Sequence, residues 1–124
     1  MTQKIHPPLT RAALTRAASG STRVPTREIE WQASDSPGFW TKLLFEDKKT
    51  GETTWLMRFD PGAHAASHAH GEIEEILVLE GSFYDDQHSY WPGDYCLRAA
   101  GTQHAAASKD GCTMMVIYRA ARVA

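Results

Sequence analysis

Glycine, proline and aspartate cut everything after Thr26 into short pieces. The breaks fall at Asp35-Ser36-Pro37-Gly38, Lys48-Lys49-Thr50-Gly51-Glu52, Asp60-Pro61-Gly62, Glu80-Gly81, Trp91-Pro92-Gly93-Asp94 and Asp110-Gly111. Such residues supply the backbone angles of tight turns and end regular structure. Several pieces between them alternate polar and apolar residues. Thr53 to Phe59 puts Trp55, Met57 and Phe59 on one face, and Arg27 to Trp31 alternates in the same way. Phe39–Phe45, Glu74–Leu79, Ser82–Asp85, Tyr95–Arg98 and Cys112–Arg119 also read as strands, and Lys48–Glu52 suits a hairpin. No convincing amphipathic helix appears beyond residue 25. Many short strands joined by turns predict an all-β antiparallel sandwich or barrel, and 124 residues suffice for one domain of that kind.

The charge is unevenly placed. Residues 1–27 hold five basic side chains (Lys4, Arg11, Arg16, Arg23, Arg27) and no acidic one, which leaves eight basic and fifteen acidic groups beyond them. A body with that excess of negative charge repels a phosphate backbone, so it is not expected to bind nucleic acid. The longest uninterrupted apolar run is Met114–Tyr118, too short to span a bilayer. Cys96 and Cys112 form no CxxC pair, and no apolar secretory segment opens the chain; reduced thiols in the cytoplasm are expected. Near the N-terminus LTRAA occurs twice, at residues 9–13 and 14–18, between Pro7-Pro8 and Ser19-Gly20-Ser21. The expected organisation is a basic extension over residues 1–25, either a solvated tail or an arm that docks on a partner, and a β domain over residues 26–124.

The segment from Gly62 to Glu75 concentrates the chemistry, with His64, His68, His70, Glu72, Glu74 and Glu75 close together. Alternate residues of a strand face the same way, so His68 and His70 can point into one cavity. Glu74 shares parity with Ile76 and Val78, and Glu75 with Leu77 and Leu79, so parity does not choose between the two glutamates. His104 follows the turn at Gly101-Thr102-Gln103. Three imidazoles and a carboxylate make a donor set without thiolates, suited to Fe(II), Zn(II), Mn(II) or Ni(II), with coordination positions left for a small molecule.

The spacing resembles the two motifs of the cupin superfamily. The first, G-x5-HxH-x3-E-x6-G, is filled by Gly62, His68, His70, Glu74 and Gly81. The second, G-x5-PxG-x2-H-x3-N, is met at Gly93, Gly101 and His104, with Ala99 in place of proline and Ser108 in place of asparagine. Those two replacements predict a less stiff turn and a lost backbone hydrogen bond. The resemblance implies a single cupin jelly roll (double-stranded β-helix) and selects Glu74 over Glu75, so that His68, His70, Glu74 and His104 hold one divalent metal. Glu74-Glu75-Ile76-Leu77-Val78-Leu79-Glu80-Gly81, Tyr90-Trp91-Pro92-Gly93-Asp94-Tyr95 and Gly111-Cys112 are similar to the ChrR-like cupins, which include the zinc-binding cupin domain of ChrR anti-sigma factors. The resemblance extends more distantly to Fe(II) cupin dioxygenases such as acetylacetone dioxygenase, whose metal is held by three histidines without the glutamate.

The resemblance thus implies a small-molecule metalloenzyme of dioxygenase type, acting on a β-dicarbonyl, hydroxyketone or similar substrate. The alternatives are a zinc-binding sensor or ligand-binding cupin, or a non-redox lyase or isomerase. About 25 residues ahead of the barrel are too few for the helical sigma-binding domain of an anti-sigma factor. Trp55, Phe59, Tyr84 and Tyr95 are candidate pocket residues, and Arg98 could hold a substrate carboxylate, although for Arg58 and Arg98 an outward ion-paired position is the simpler expectation. His64 is expected to be exposed, and His6 and His88 to be bystanders. Trp31, Trp40 and Trp55 offer apolar area for a homodimer.

Overall fold

The computed structural model describes residues 20–121; the repeated LTRAA segment, His6 and the rest of residues 1–19 lie outside them. In chain order the strands are β1 (Gln32–Ala33), β2 (Phe39–Asp47), β3 (Glu52–Phe59), β4 (His64–His68) and β5 (Ile73–Gly81). They continue with β6 (Phe83–Tyr84), β7 (Ser89–Tyr90), β8 (Tyr95–Arg98), β9 (His104–Ala107) and β10 (Cys112–Arg119). All pairings are antiparallel. They form a six-stranded sheet, β1-β2-β3-β10-β5-β8, and a four-stranded sheet, β4-β9-β6-β7. The two make the predicted all-β cupin sandwich.

Between the sheets Phe59, Ile76, Val78, Phe83, Met114 and Val116 are buried. Each such side chain contributes roughly 1.5–3 kcal/mol relative to exposure. Strand β5 settles the parity question: Glu74, Ile76 and Val78 are buried, whereas Leu79 on the other face is 44% exposed. The hairpin between β2 and β3 is tied by Gly51 N–H to the Asp47 carbonyl at 2.7 Å, with Asp47 Oδ1 accepting from Lys49 N–H.

One expectation is corrected. Residues 27–31 are not a strand: Thr26–Glu28 forms a 3-10 turn. This segment lies over the outer face of β2, where Lys42 Nζ donates to the Thr26 carbonyl at 2.8 Å and stands over the Trp31 ring. The three early tryptophans are engaged within the chain. Trp31 is stacked by Lys42 and Arg58, Trp40 Nε1 donates to Asp60, and Trp55 packs against the core. Exposed apolar side chains also gather around the edge strand β8, at Leu79, Trp91, Tyr95 and Leu97.

The motif positions have concrete roles. Gly81 has φ +71°, and a Cβ there would lie 2.1 Å from the Gly111 carbonyl oxygen, so only glycine lets the end of β5 pass the turn before β10. Ser108, at the position where asparagine is usual, keeps the backbone tied: its Oγ donates to the Ser82 carbonyl at 2.6 Å and accepts from Gly111 N–H at 2.8 Å. At Ala99 the missing proline is offset by Thr102, whose N–H and Oγ1 both donate to the Ala99 carbonyl.

Candidate metal centre

Strand register lays out the site. On the inner face of the large sheet, Tyr118 of β10 pairs with Glu74 of β5, and Glu74 pairs with Arg98 of β8. One step deeper, Val116, Ile76 and Cys96 form the matching apolar row. In the small sheet, His68 at the end of β4 is the register partner of His104 at the start of β9. His70 lies just beyond β4 and turns back toward both.

The three imidazoles converge. One ring nitrogen from each of His68, His70 and His104 lies within 4.8 Å of the others. His68 Nδ1 is 2.9 Å from the Ala66 carbonyl and His104 Nδ1 is 3.2 Å from the Thr102 carbonyl. A backbone carbonyl at Nδ1 fixes the tautomer that carries its proton there and leaves Nε2 with a free lone pair, the state a metal requires. His64 is exposed at the start of β4, and His88 lies in the turn before β7; neither belongs to the cluster.

Glu74 is buried, with Oε1 3.6 Å from His104 Nε2 and 3.1 Å from Arg98 Nε. Arg98 is not the outward-facing residue expected. It is 8% exposed and donates a second bond through Nη1 to Asp85 at 2.8 Å. Arg58 does face outward, half exposed beside Asp60 and the rings of Trp31 and Trp40. Burial by itself would raise the Asp85 pKa. The Gln87 and His88 N–H groups, Arg98 and the Tyr90 hydroxyl outweigh it and hold the carboxyl at about 2. Burial, then the Arg98 charge, lower the His104 pKa and favour its neutral form. The thiols are free and buried, and burial pushes Cys112 up to about 12, which keeps it an unreactive thiol.

A cavity of about 500 Å³ opens over the cluster. Its walls are mainly apolar, with Met57, Phe59, Phe83 and Met114 among them, and its polar end carries the histidines, Glu74, Arg98 and Tyr118. Of the pocket residues read from sequence, Phe59 and Arg98 line this cavity. Trp55 sits behind it in the core, and Tyr84 and Tyr95 are 49% and 54% exposed on the outside. Strand alternation accounts for this, since Tyr84 follows the buried Phe83 and Tyr95 precedes the buried Cys96. Sequence reading overlooked Asp85 and Tyr118. The usable signal was the cross-strand row: once Glu74 faces inward, its register partners on β8 and β10 do too.

Comparison with known proteins follows the same lines. The sequence profile of the ChrR Cupin-like domain matches residues 19–122. No curated protein matches the sequence. Among solved structures, a chain of the Rhodobacter sphaeroides complex of SigE with the anti-sigma ChrR is similar with a TM-score of 0.65 and 19% identity, over 73% of this chain and 50% of that one. This protein therefore spans half the length of that relative. An RmlC-like cupin from Shewanella frigidimarina gives a TM-score of 0.71 and 20% identity, over 83% and 94% of the two chains. A candidate acetylacetone dioxygenase from Methylibium petroleiphilum gives 0.75 and 15%, over 84% and 80%.

Proposed function

We propose, for a chain that belongs to the ChrR Cupin-like domain family, a metal-dependent role in which His68, His70, His104 and Glu74 hold one divalent ion and the cavity above receives a small organic molecule. The observation that carries the reading is the convergence of three imidazoles, two of them turned by backbone carbonyls so that Nε2 is free, beneath a mainly apolar cavity. The donors fit the group: neutral nitrogen ligands and one carboxylate suit Fe(II), Zn(II), Mn(II) or Ni(II). Bound there, the ion would act as a Lewis acid and, if iron, would bring dioxygen and substrate together.

The chain's own residues do the rest. The apolar walls exclude water and seat the carbon skeleton. Arg98, flanked by Glu74 and Asp85, fixes the carboxylate of Glu74 toward His104 and has no uncompensated charge to offer a substrate acid. We favour dioxygenase-type chemistry on an oxygenated substrate such as a β-dicarbonyl or hydroxyketone. A zinc-binding sensor is the second reading, supported by the ChrR family match. We place the protein in the cytoplasm, supported by its two free thiols, and as a homodimer; among the described residues no helix is long and apolar enough to cross a membrane.

Elemental analysis of protein purified without a metal-affinity tag, followed by oxygen-electrode assays of the Fe(II)-loaded form with β-dicarbonyls, hydroxyketones and catechols, tests the reading. Stoichiometric metal with substrate-dependent oxygen uptake supports the enzyme. Stoichiometric zinc without uptake favours the sensor, and failure to bind metal after reconstitution refutes both.

A further inference from the structure

The large sheet ends differently at its two edges. At one end β1 is only two residues long, which blunts that edge. At the other end stands β8, four residues long, with β5 on one side and no described strand on the other. Val78 N–H donates to the Asp94 carbonyl at 3.1 Å, and alternate residues of an antiparallel ladder bond the same neighbour. The register pairs Ile76 with Cys96 and Glu74 with Arg98, so Cys96 and Arg98 turn their backbone groups to β5. The N–H and C=O of Tyr95 and Leu97 therefore point off the edge, and no turn or loop hydrogen bond among the described residues reaches them.

Backbone groups left open in this way are ordinarily guarded by an outward lysine, a proline or a covering loop. Strand β8 has no proline, and its one charged side chain, Arg98, is buried on the inner face between Glu74 and Asp85. Its outward side chains are apolar instead. Tyr95 and Leu97 are 54% and 62% exposed, and Leu79 and Trp91 beside them are exposed too. The outward positions of β5 and β8 carry a single charge, Glu75, which is paired with Arg119 and accepts from the Tyr95 hydroxyl. The patch is thus neutral as well as apolar, and two copies meet over it without like-charge repulsion.

We propose that this chain pairs with a second copy of itself through the β8 edge. The two strands run antiparallel across a twofold axis, join the two large sheets into one, and cover Leu79, Trp91, Tyr95 and Leu97 of each copy. A twofold axis puts the same surface on both sides, so the open N–H and C=O groups of one strand meet complements on the other. With aromatic side chains of roughly 150–250 Å², those four present roughly 400 Å² per copy. The pair covers roughly 800 Å², the apolar centre of a standard interface of about 1,600 Å². This pairing deepens the homodimer reading and rests on it, independently of the metal.

Sedimentation equilibrium of the full chain at micromolar concentration tests it, in wild type and in two variants. Leu97→Lys puts an ammonium opposite Glu75, where the fold offers it a cross-strand partner, and sets a charge on the joining edge. Leu97→Pro removes the outward N–H, at the kind of strand position where proline is tolerated. Wild type should be a dimer, and each variant should raise the dissociation constant at least about thirtyfold, with the circular dichroism of the folded chain retained in Leu97→Lys. An independent readout needs no variant: the Tyr95 and Leu97 amides should exchange slowly at high protein concentration and quickly on dilution. A wild-type monomer whose two amides exchange quickly overturns the pairing and the homodimer with it. A monomer with both amides protected overturns them too, because residues of the same chain then cover the edge. A dimer that survives both variants keeps the homodimer and overturns this face of it.

Discussion

Asp85→Asn probes the charge network behind the site. The carboxylate accepts N–H bonds from Gln87 and His88 on Oδ1, and bonds from the Tyr90 hydroxyl and Arg98 on Oδ2, and its pKa is held at about 2 against an ordinary 3.8. A group whose folded pKa is depressed stabilises the fold fully above its unfolded pKa, and that contribution is lost as pH falls through the folded value. The shift corresponds to about 2 kcal/mol at pH 7, of which about 1 kcal/mol remains at pH 3. Asparagine keeps the shape but loses the charge, and its amide nitrogen turns a donor toward two donors. Urea unfolding should therefore show Asp85→Asn less stable by about 2 kcal/mol at pH 7, roughly 8–10 °C in Tm. The gap should narrow by about 1 kcal/mol at pH 3. A gap of the same size at both pH values would refute the argument, since only the geometry of the bonds and not the charge would then matter.

His68→Ala and His104→Ala should each weaken Zn(II) binding by about a hundredfold or more in competition titrations, with His88→Ala unchanged. Acidification from pH 7 to about pH 5 should release metal, followed by elemental analysis after dialysis, because protonated imidazole cannot ligate. Gly81→Ala should cost more than about 2 kcal/mol in denaturant unfolding, from a left-handed backbone and a Cβ pressed into the Gly111 carbonyl. Ser108→Ala leaves a backbone carbonyl and an N–H without their hydroxyl partner and should cost about 1–3 kcal/mol by the same assay.

The strands were legible where turn residues bracket an alternating run: Tyr95–Arg98 and Cys112–Arg119 have the bounds read from sequence. Residues 27–31 alternate equally well and form no strand, because alternation reports a half-buried surface and not the hydrogen bonds of a sheet. The clustered histidines were visible as a pattern, since motif spacing is local. Arg98 and Tyr118 were not, because their placement depends on which strands become neighbours, and neither residue announces its partner in its own segment. The ordinary expectation that arginine faces water failed at Arg98 because two carboxylates, from β5 and from the turn after β6, meet there.

The pairing of His68 with His104 across β4 and β9 bears on how the molecule comes apart. The small sheet is built from short strands, and the proposed ion, if shared by those two residues, would close a loop of roughly 36 residues, a covalent-like clasp worth roughly 4 kcal/mol by loop entropy. Stripping that ion should make the small sheet the unit that opens first, while the long pairings of β3, β10 and β5 stay shut. Native-state amide exchange would then separate the protein into two layers: one whose protection follows metal concentration, and one that ignores it.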